Sequence, residues 1–384
     1  MIDVLVVGGS LAGAATATHL AGAGHRVVVL ERSTVDGRKA CGEGLFPRGA
    51  AELARLGVLQ DARGAGAELA GLRFHAGPYT AVAGLGGDGR RGLGIRRSDL
   101  DPILRARAQQ AGAEMRRGVT AHSLVRQDGR FTGVLTGDGE AIEARVIVGA
   151  DGLGSRVRRQ AGLDRAGGAA RYGVSAHVRL AEPPAPYVDV SFRDGFEVYV
   201  TPVGGCDVNV AVLLRRAAMR RFAGALDATF AAVLRDALAL PPFEVLDAPL
   251  AAGPFPARAR AVWRDNLVLV GDAAGFFDAI TGEGMSTTLV SARDCATAVA
   301  AFLGGGDERA FRGYERRRRS LTRNADLLAR LSLGLASPSW LARHAVRNLA
   351  RQPQTFERLT AISAGEAGLR DLRPRDLVAL AAGR

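Results

Sequence analysis

The feature that most constrains this chain is a glycine-rich turn between two apolar runs near its start. Residues 2–7 (IDVLVV) read as a strand buried on both faces, and they end at Gly8-Gly9-Ser10-Leu11-Ala12-Gly13. Residues 11–23 are rich in Ala and Leu and stop at Gly24, after which Arg26–Leu30 gives a second buried strand closed by Glu31. Strand, tight turn, helix and strand in this order make a βαβ unit. In such a unit Gly8 permits the turn and Gly13 lets the helix lie close to the strand. Unpaired N–H groups at the helix N-terminus favour a pyrophosphate, and Glu31 can accept bonds from ribose hydroxyls. Ser10 replaces the middle glycine of the dinucleotide fingerprint, and Ala12 and Arg32 join the expected cofactor-binding set.

At 384 residues the chain exceeds what one hydrophobic core usually serves, so two or three structural units are expected. Hydrophobic residues at 47% and charged residues at 23% exclude a disordered chain. The chain enters a strand pattern at Ile2 without a basic, apolar leader, so a cytoplasmic protein is expected. Its apolar stretches, such as Ala296–Leu303, are too short to cross a bilayer. Cys41, Cys206 and Cys295 are far apart and the six histidines are scattered, which points to free thiols and no metal. Lys39 is the single lysine in a chain of net charge +12. Residues 306–384 hold sixteen arginines against eight acids. We read that region as a solvated arginine face on core-packing helices in preference to a membrane-docking surface. No nucleic-acid-binding module accompanies the charge.

Further along, residues 36–44 read as a Gly-containing loop and Arg48–Leu56 as a helix. Another helix is expected from about Leu100, capped by Ser98 or Asp99, with Pro102 in its first turn. Asp128-Gly129 and Asp138-Gly139 suit hairpin turns of a small meander that leads into the buried strand Ala144–Val148. Residues 172–214 alternate, with Val208, Val210 and Val212 on one face and turns at Asp194-Gly195 and Gly204-Gly205. Buried-strand character returns at Leu267–Val270, and from residue 307 the chain looks helical, with Leu327, Leu328, Leu331 and Leu335 on one face. The expected fold class is α/β: a Rossmann-like, mainly parallel sheet with helices and a small meander, an antiparallel-sheet substrate domain, and a C-terminal helical region. The expected boundaries are 1–70, 96–165 and 256–305 for the first unit, 71–95 and 166–255 for the second, and 306–384 for the third.

Two further constellations follow buried strands. Asp151-Gly152-Leu153-Gly154-Ser155-Arg156 comes after Val146–Val148, and Gly271-Asp272-Ala273-Ala274-Gly275 after Leu267–Val270. The second is followed by Thr281-Gly282-Glu283-Gly284-Met285 at the start of a helix. A carboxylate at Asp272 can accept bonds from a polyol, and the glycines let a flat ring lie against backbone at a positive helix end.

The three motifs, in this order, resemble the FAD-dependent superfamily typified by para-hydroxybenzoate hydroxylase, which also holds geranylgeranyl reductases and flavin-dependent halogenases. The likeness covers about residues 1–165 and 256–305. It implies a non-covalent FAD whose ADP half meets Gly8, Ser10, Gly13 and Glu31. It also implies that Asp151 and Gly152 lie near the FAD and reduced-nicotinamide pyrophosphates, that Asp272 binds the ribityl chain, with Gly271 beside it in the cofactor-binding set, and that Gly282, Gly284 and Met285 run along the flavin ring. Arg97, in an Arg-x-x-Leu-Asp run, resembles the arginine near the FAD phosphates, with Arg96 its rival. The loop Lys39-Ala40-Cys41-Gly42-Glu43-Gly44 resembles the Cys-Gly-x-Gly segment of geranylgeranyl reductase-like members, which makes Cys41 and Glu43 candidates for touching substrate.

The resemblance implies FAD reduced transiently by NADPH or NADH, since the chain holds no second Rossmann fingerprint. The Trp-x-Trp-x-Ile-Pro segment of halogenases is absent. Prenyl reductases carry an aromatic-x-Trp-x-Phe-Pro stretch where this chain has Glu197-Val198-Tyr199-Val200-Thr201-Pro202. The expected activity is therefore a monooxygenase that hydroxylates or epoxidises a mainly apolar secondary metabolite with molecular oxygen, through a flavin C4a-hydroperoxide. The alternative is saturation of prenyl double bonds; a flavin-binding scaffold or electron carrier ranks behind both. Tyr199, Phe276 and Phe277 are substrate-facing candidates by position.

Overall fold

The computed structural model describes residues 1–86, 89–166, 171–215, 218, 230–234, 242–335, 339–374 and 376. Two large sheets dominate it. In the first, strand Ile2–Val7 lies between Val27–Glu31 and Ala141–Gly149, parallel to both, with Glu114–Arg117 and Leu267–Leu269 outside them. Val4 pairs Val27 and Val146, and Val6 pairs Val29 and Val148, so the centre of this sheet is buried valine against valine. Parallel strands covered on both faces need such continuous apolar runs. The meander of Ala121–Gln127 and Arg130–Thr136 joins the edge of Ala141–Gly149 in antiparallel fashion, turning at Asp128-Gly129, both with positive φ.

Helix α1 (Leu11–Gly22) packs against α3 (Arg97–Gln110) and the long α5 (Gly284–Gly305), while α2 (Pro47–Arg55) packs on α5 as well and the short α4 (Arg156–Gln160) follows the strand Ala141–Gly149. The approach of α1 to its strand is very close. A Cβ added at Gly13 would lie 1.8 Å from the Gly8 carbonyl oxygen, which leaves glycine as the one residue that fits.

Most of the second sheet is inserted between the strands Ala141–Gly149 and Leu267–Leu269, which are neighbours in the first, and its last two strands come from residues 71–84. It runs Phe243–Val245, Arg171–Leu180, Asp207–Arg215, Phe196–Gly204, Tyr187–Arg193, Gly71–Ala76, Tyr79–Gly84, with Leu250–Phe255 also on Arg171–Leu180. Val208, Val210 and Val212 share one buried cluster, as their alternation requires. The opposite face, with Val190, Tyr199, Ala211 and Leu213, joins another cluster that includes Ala329 of the C-terminal region.

Among the described residues three C-terminal helices follow: α6 (Arg309–Leu335), α7 (Ser339–Arg351) and α8 (Pro353–Ser363). Helices α7 and α8 bury Val346, Leu349 and Phe356 against Ala76, Ala81 and Ala83 of the second sheet. Leu327 is 39% exposed, so it does not share an inward face with Leu328, which lines the main cavity; the side chains of Leu331 and Leu335 lie outside the described residues. No described helix is long and apolar enough to cross a membrane.

One expected boundary is corrected. Helix α3 begins at Arg97, with Arg96 at its N-cap, and Pro102 lies in its interior beyond the first turn. Neither Ser98 nor Asp99 caps it. The carboxylate of Glu43 takes that role, accepting from the Arg97 N–H at 2.8 Å.

Replacing Gly13 by Ala is expected to cost at least the upper end of the roughly 1–3 kcal/mol typical of overpacking, because the Gly8 carbonyl is backbone and cannot step aside. A fall in thermal midpoint relative to Gly22→Ala, where the Cβ meets nothing within 4 Å, is the check.

Candidate active site

One cavity of about 1290 Å3 runs from the glycine turn at Gly8 to the C-terminal helices. It brings together Gly8, Ser10, Ala12, Glu31, Arg32 and Arg97 from the first part of the chain. Asp151, Gly152, Asp272, Gly282, Gly284 and Met285 meet them on the same wall, as do Cys41, Glu43, Tyr199 and Phe276. Three expected residues stand elsewhere. Gly13 is set back under α1, and Gly271, at φ +61, passes close to Ala12, where a Cβ would come within 2.8 Å of the Ala12 Cβ. Phe277 carries the Arg330 guanidinium 4.8 Å from its ring centroid and is not on the wall, because that side of its loop faces α6.

The cavity is polar at one end and apolar at the other. At the polar end α1 starts without a side-chain cap, so its first-turn N–H groups lack that partner at the point where Ser10, Leu11 and Ala12 line the cavity. Glu31 receives the N–H groups of Gly9 and Ser33, each at 2.9 Å, and still faces the cavity. Ser10 does more than fit the turn: its hydroxyl donates to Asp101 at 2.6 Å and accepts from Arg97 at 2.7 Å. Asp101, in the fifth position of the Arg-x-x-Leu-Asp run, also binds Lys39 at 2.8 Å and Arg97 at 2.9 Å. Burial alone would raise the Asp101 carboxyl, but Arg97 and Lys39 outweigh it and hold the carboxyl at about 2. Arg96 is no rival for this place, since it turns to Asp207 at 2.6 Å and is absent from the wall.

The second motif is tied to the third by a buried arginine. Arg158 donates to the carbonyls of Leu153 and Ala273, both at 3.0 Å, and pairs with Asp164 at 2.7 Å. Asp151 uses its carboxylate to cap α4, accepting from the N–H groups of Arg156 and Val157 at 2.7 and 3.1 Å and from the Ser155 hydroxyl. Its carboxylate is therefore committed to the fold. Asp272 differs: among the described residues no donor bonds its carboxylate. Burial pushes that carboxyl up, and Arg97, Arg318 and Arg158 offset only part of the rise. An acceptor left open on the cavity wall, beside glycines at 282 and 284, fits the polyol chain of a flavin.

These residues suit FAD, and the comparison with known proteins decides the matter: the FAD binding domain family matches residues 1–326. The chain belongs to that family. This flavoprotein is 29% identical over 318 residues to a menaquinone reductase of Mycolicibacterium smegmatis, a match covering 76% of this chain and 74% of that one. It is 30% identical over 306 residues to digeranylgeranylglycerophospholipid reductase 1 of Methanopyrus kandleri, covering 76% and 78%. A rifampicin monooxygenase of Streptomyces venezuelae matches at 35% over 164 residues, 42% of this chain and 34% of that one. Among solved structures, a flavoprotein/dehydrogenase from Cytophaga hutchinsonii superposes with a TM-score of 0.81 at 21% identity, covering 95% and 93% of the two chains. The flavoprotein thus sits within the para-hydroxybenzoate hydroxylase-like superfamily and has geranylgeranyl reductase homologues.

At its apolar end the flavoprotein's cavity is walled by Leu72, Phe74, Val190 and Phe192 of the second sheet and by Val346, Leu349 and Phe356 of α7 and α8. Among the described residues every charged side chain on the wall lies between Glu31 and Arg156 or is Asp272; the second sheet and the C-terminal helices contribute none. Tyr199 donates to the Ile280 carbonyl at 2.9 Å, fixing the loop before Gly282 to the sheet. Beneath it Arg171 is held between Glu197 and Asp278, and burial raises both of those carboxyls. Cys41 stays a thiol because burial raises it, with Arg97 pulling back only in part. Glu43, the other loop candidate, is 1% exposed and has both oxygens bonded to protein.

Sequence reading missed Lys39, Asp101 and the helical lining from α6 to α8. Asp101 was visible in the motif, and an apolar helix stripe reads the same whether it faces core or cavity.

Because the depressed carboxyl of Asp101 stabilises the fold above its ordinary value of 3.8 and loses that effect as pH falls toward about 2, Asp101→Asn is expected to cost about 2 kcal/mol at pH 7. Denaturant midpoints measured down the pH scale should show the gap from wild type closing below pH 4, the upper edge of that window.

Proposed function

We propose that this flavoprotein is an NAD(P)H-reduced monooxygenase that hydroxylates or epoxidises a large, mainly apolar organic molecule held between the second sheet and the C-terminal helices. The observation that carries this reading is the cavity-facing edge of the strand Phe196–Gly204. Where prenyl reductases of the superfamily carry three aromatic residues, this strand keeps one ring, Tyr199, presents Thr201 to the cavity in place of the last, and withdraws Glu197 into the ion pair with Arg171 in place of the first. The uncharged far wall supports an apolar substrate, because a charged one would bury its charge without a partner. Bound FAD supplies the redox chemistry. The chain's own residues orient substrate against it and exclude water.

In this reading segments 1–70, 96–165 and 256–305 hold the cofactor, and 71–95 with 166–255 hold the substrate. The region 306–384 completes the chamber through α6 to α8. Ser10, Glu31, Arg32 and Arg97 serve the ADP half, Asp272 the ribityl chain, and Gly282, Gly284 and Met285 the ring, while Gly152 leaves room for pyrophosphate. Asp272→Ala is expected to weaken FAD retention roughly tenfold or more, the loss of one or two bonds to a charged acceptor. Fluorescence titration of the refilled variant reads it.

A second reading, reduction of prenyl double bonds, is supported by the 74–78% coverage of the menaquinone and digeranylgeranylglycerophospholipid reductases against the shorter monooxygenase match. Incubation with NADPH, labelled oxygen gas and a lipophilic metabolite pool separates the two. A product heavier by one labelled oxygen is the expected result. Substrate saturated by two hydrogens under anaerobic conditions, with no label taken up in air, would replace the first reading by the second.

A further inference from the structure

Every residue from Asp36 to Phe46 lines the cavity, so this segment is a strap along the cofactor end. It is tied down at several points. Arg38 pairs with Asp247 at 2.7 Å and donates to the Ala248 carbonyl at 2.8 Å, and Lys39 binds Asp101. The Cys41 N–H donates to Ser175 at 3.3 Å, and Asn209 donates to both the Cys41 carbonyl at 2.9 Å and the Glu43 carboxylate at 2.8 Å. Glu43 itself has a left-handed backbone, φ 56, a conformation a glutamate adopts only when its surroundings hold it there.

His177 stands at the centre of these ties. Its Nε2 is 2.7 Å from Glu43 and its Nδ1 is 2.7 Å from Asp247, the same carboxylate that holds Arg38. Both partners can only accept when ionised, and a neutral imidazole has a single N–H. The two contacts are satisfied together by an imidazolium, which then joins both ends of the strap to the strand Arg171–Leu180.

We propose that His177, as an imidazolium, positions the strap over the cofactor end of the cavity, so that retention of the cofactor depends on its proton. This deepens the flavin reading of the cavity and rests on it. His177 is a positioning residue, acting through Glu43 on the N-terminus of α3 and hence on Arg97. Burial lowers the imidazole's pKa, but Glu43 and Asp247 outweigh it and raise the group above its ordinary 6.5. The paired state is therefore complete below that value and is lost as pH rises through the raised one. The other groups facing the ring are Asn209 across the sheet, Asp207 with its partners Arg96 and Arg179, Arg38 behind Asp247, and Arg97 and the Cys41 thiol beyond Glu43. None of these has an ordinary pKa between about 5 and 8.

The test uses the full chain refilled with FAD, following flavin release by fluorescence from about pH 6 to 9.5. Release by wild type is expected to speed up by about tenfold or more across one alkaline step, equivalent to a tie worth a factor of ten in rate. His177→Gln should release quickly at every pH and show no step, and Asp247→Asn should move the step to lower pH. Nitrogen-15 spectra of the imidazole ring are expected to show both nitrogens protonated at neutral pH. Release independent of pH in wild type, a step retained in His177→Gln, or spectra of a neutral ring would each overturn the proposal. Should His177→Gln not fold, Asp247→Asn and the spectra decide. A chain that takes up no flavin would defeat the flavin reading instead, and the nitrogen spectra would still decide the state of the ring.

Discussion

The buried carboxylate of Asp101 is the constraint on which the cofactor end depends. Ser10 at the start of α1, Lys39 on the strap and Arg97 at the start of α3 come from three distant places in the chain, and all three bond this one group. A carboxylate removed from water is tolerable only when such partners are supplied, so the three segments must arrive together or not at all. The same arrangement places Arg97 and the uncapped turn of α1 side by side on the cavity wall. Specific geometry at the polar end is thus a consequence of satisfying one buried charge.

The opposite end follows a different rule. There, among the described residues, the second sheet and the C-terminal helices bring only uncharged side chains to the cavity, and shape, more than charge, sets what it accepts. Between the two ends lies the loop from Asp272 to Gly284, held by Arg158 and Arg318 through its carbonyls and by Tyr199 through Ile280. This loop is where a flavin ring would separate the charged half from the apolar half. Its supports come from α4, the second sheet and α6, which links the position of the ring to the integrity of all three.

What the sequence disclosed, and what it withheld, follows from the range of the interactions involved. Ile2–Val7, Val27–Glu31 and Ala141–Gly149 were legible because a parallel strand buried on both faces must be apolar along its length. Gly8 and Gly13 were legible because a turn and a close helix approach leave no room for side chains. The start of α3 was misplaced because its cap, Glu43, lies 54 residues away, beyond any local pattern. His177 gave no signal for the same reason, its partners being 134 and 70 residues distant. Asp151, expected near the pyrophosphates by resemblance, lines the cavity, and its carboxylate caps the helix that follows it, a use that a strand-to-helix turn often makes of aspartate.

In the proposed reading, separate stretches of one chain, around Gly8, Arg97 and Asp272, close on a single FAD. Absorbance titration of the purified, cofactor-stripped protein with FAD tests this most directly. Saturable uptake of one FAD per chain is expected, with a shifted and structured flavin band. A protein that remains colourless and leaves the spectrum of added FAD unchanged would contradict it.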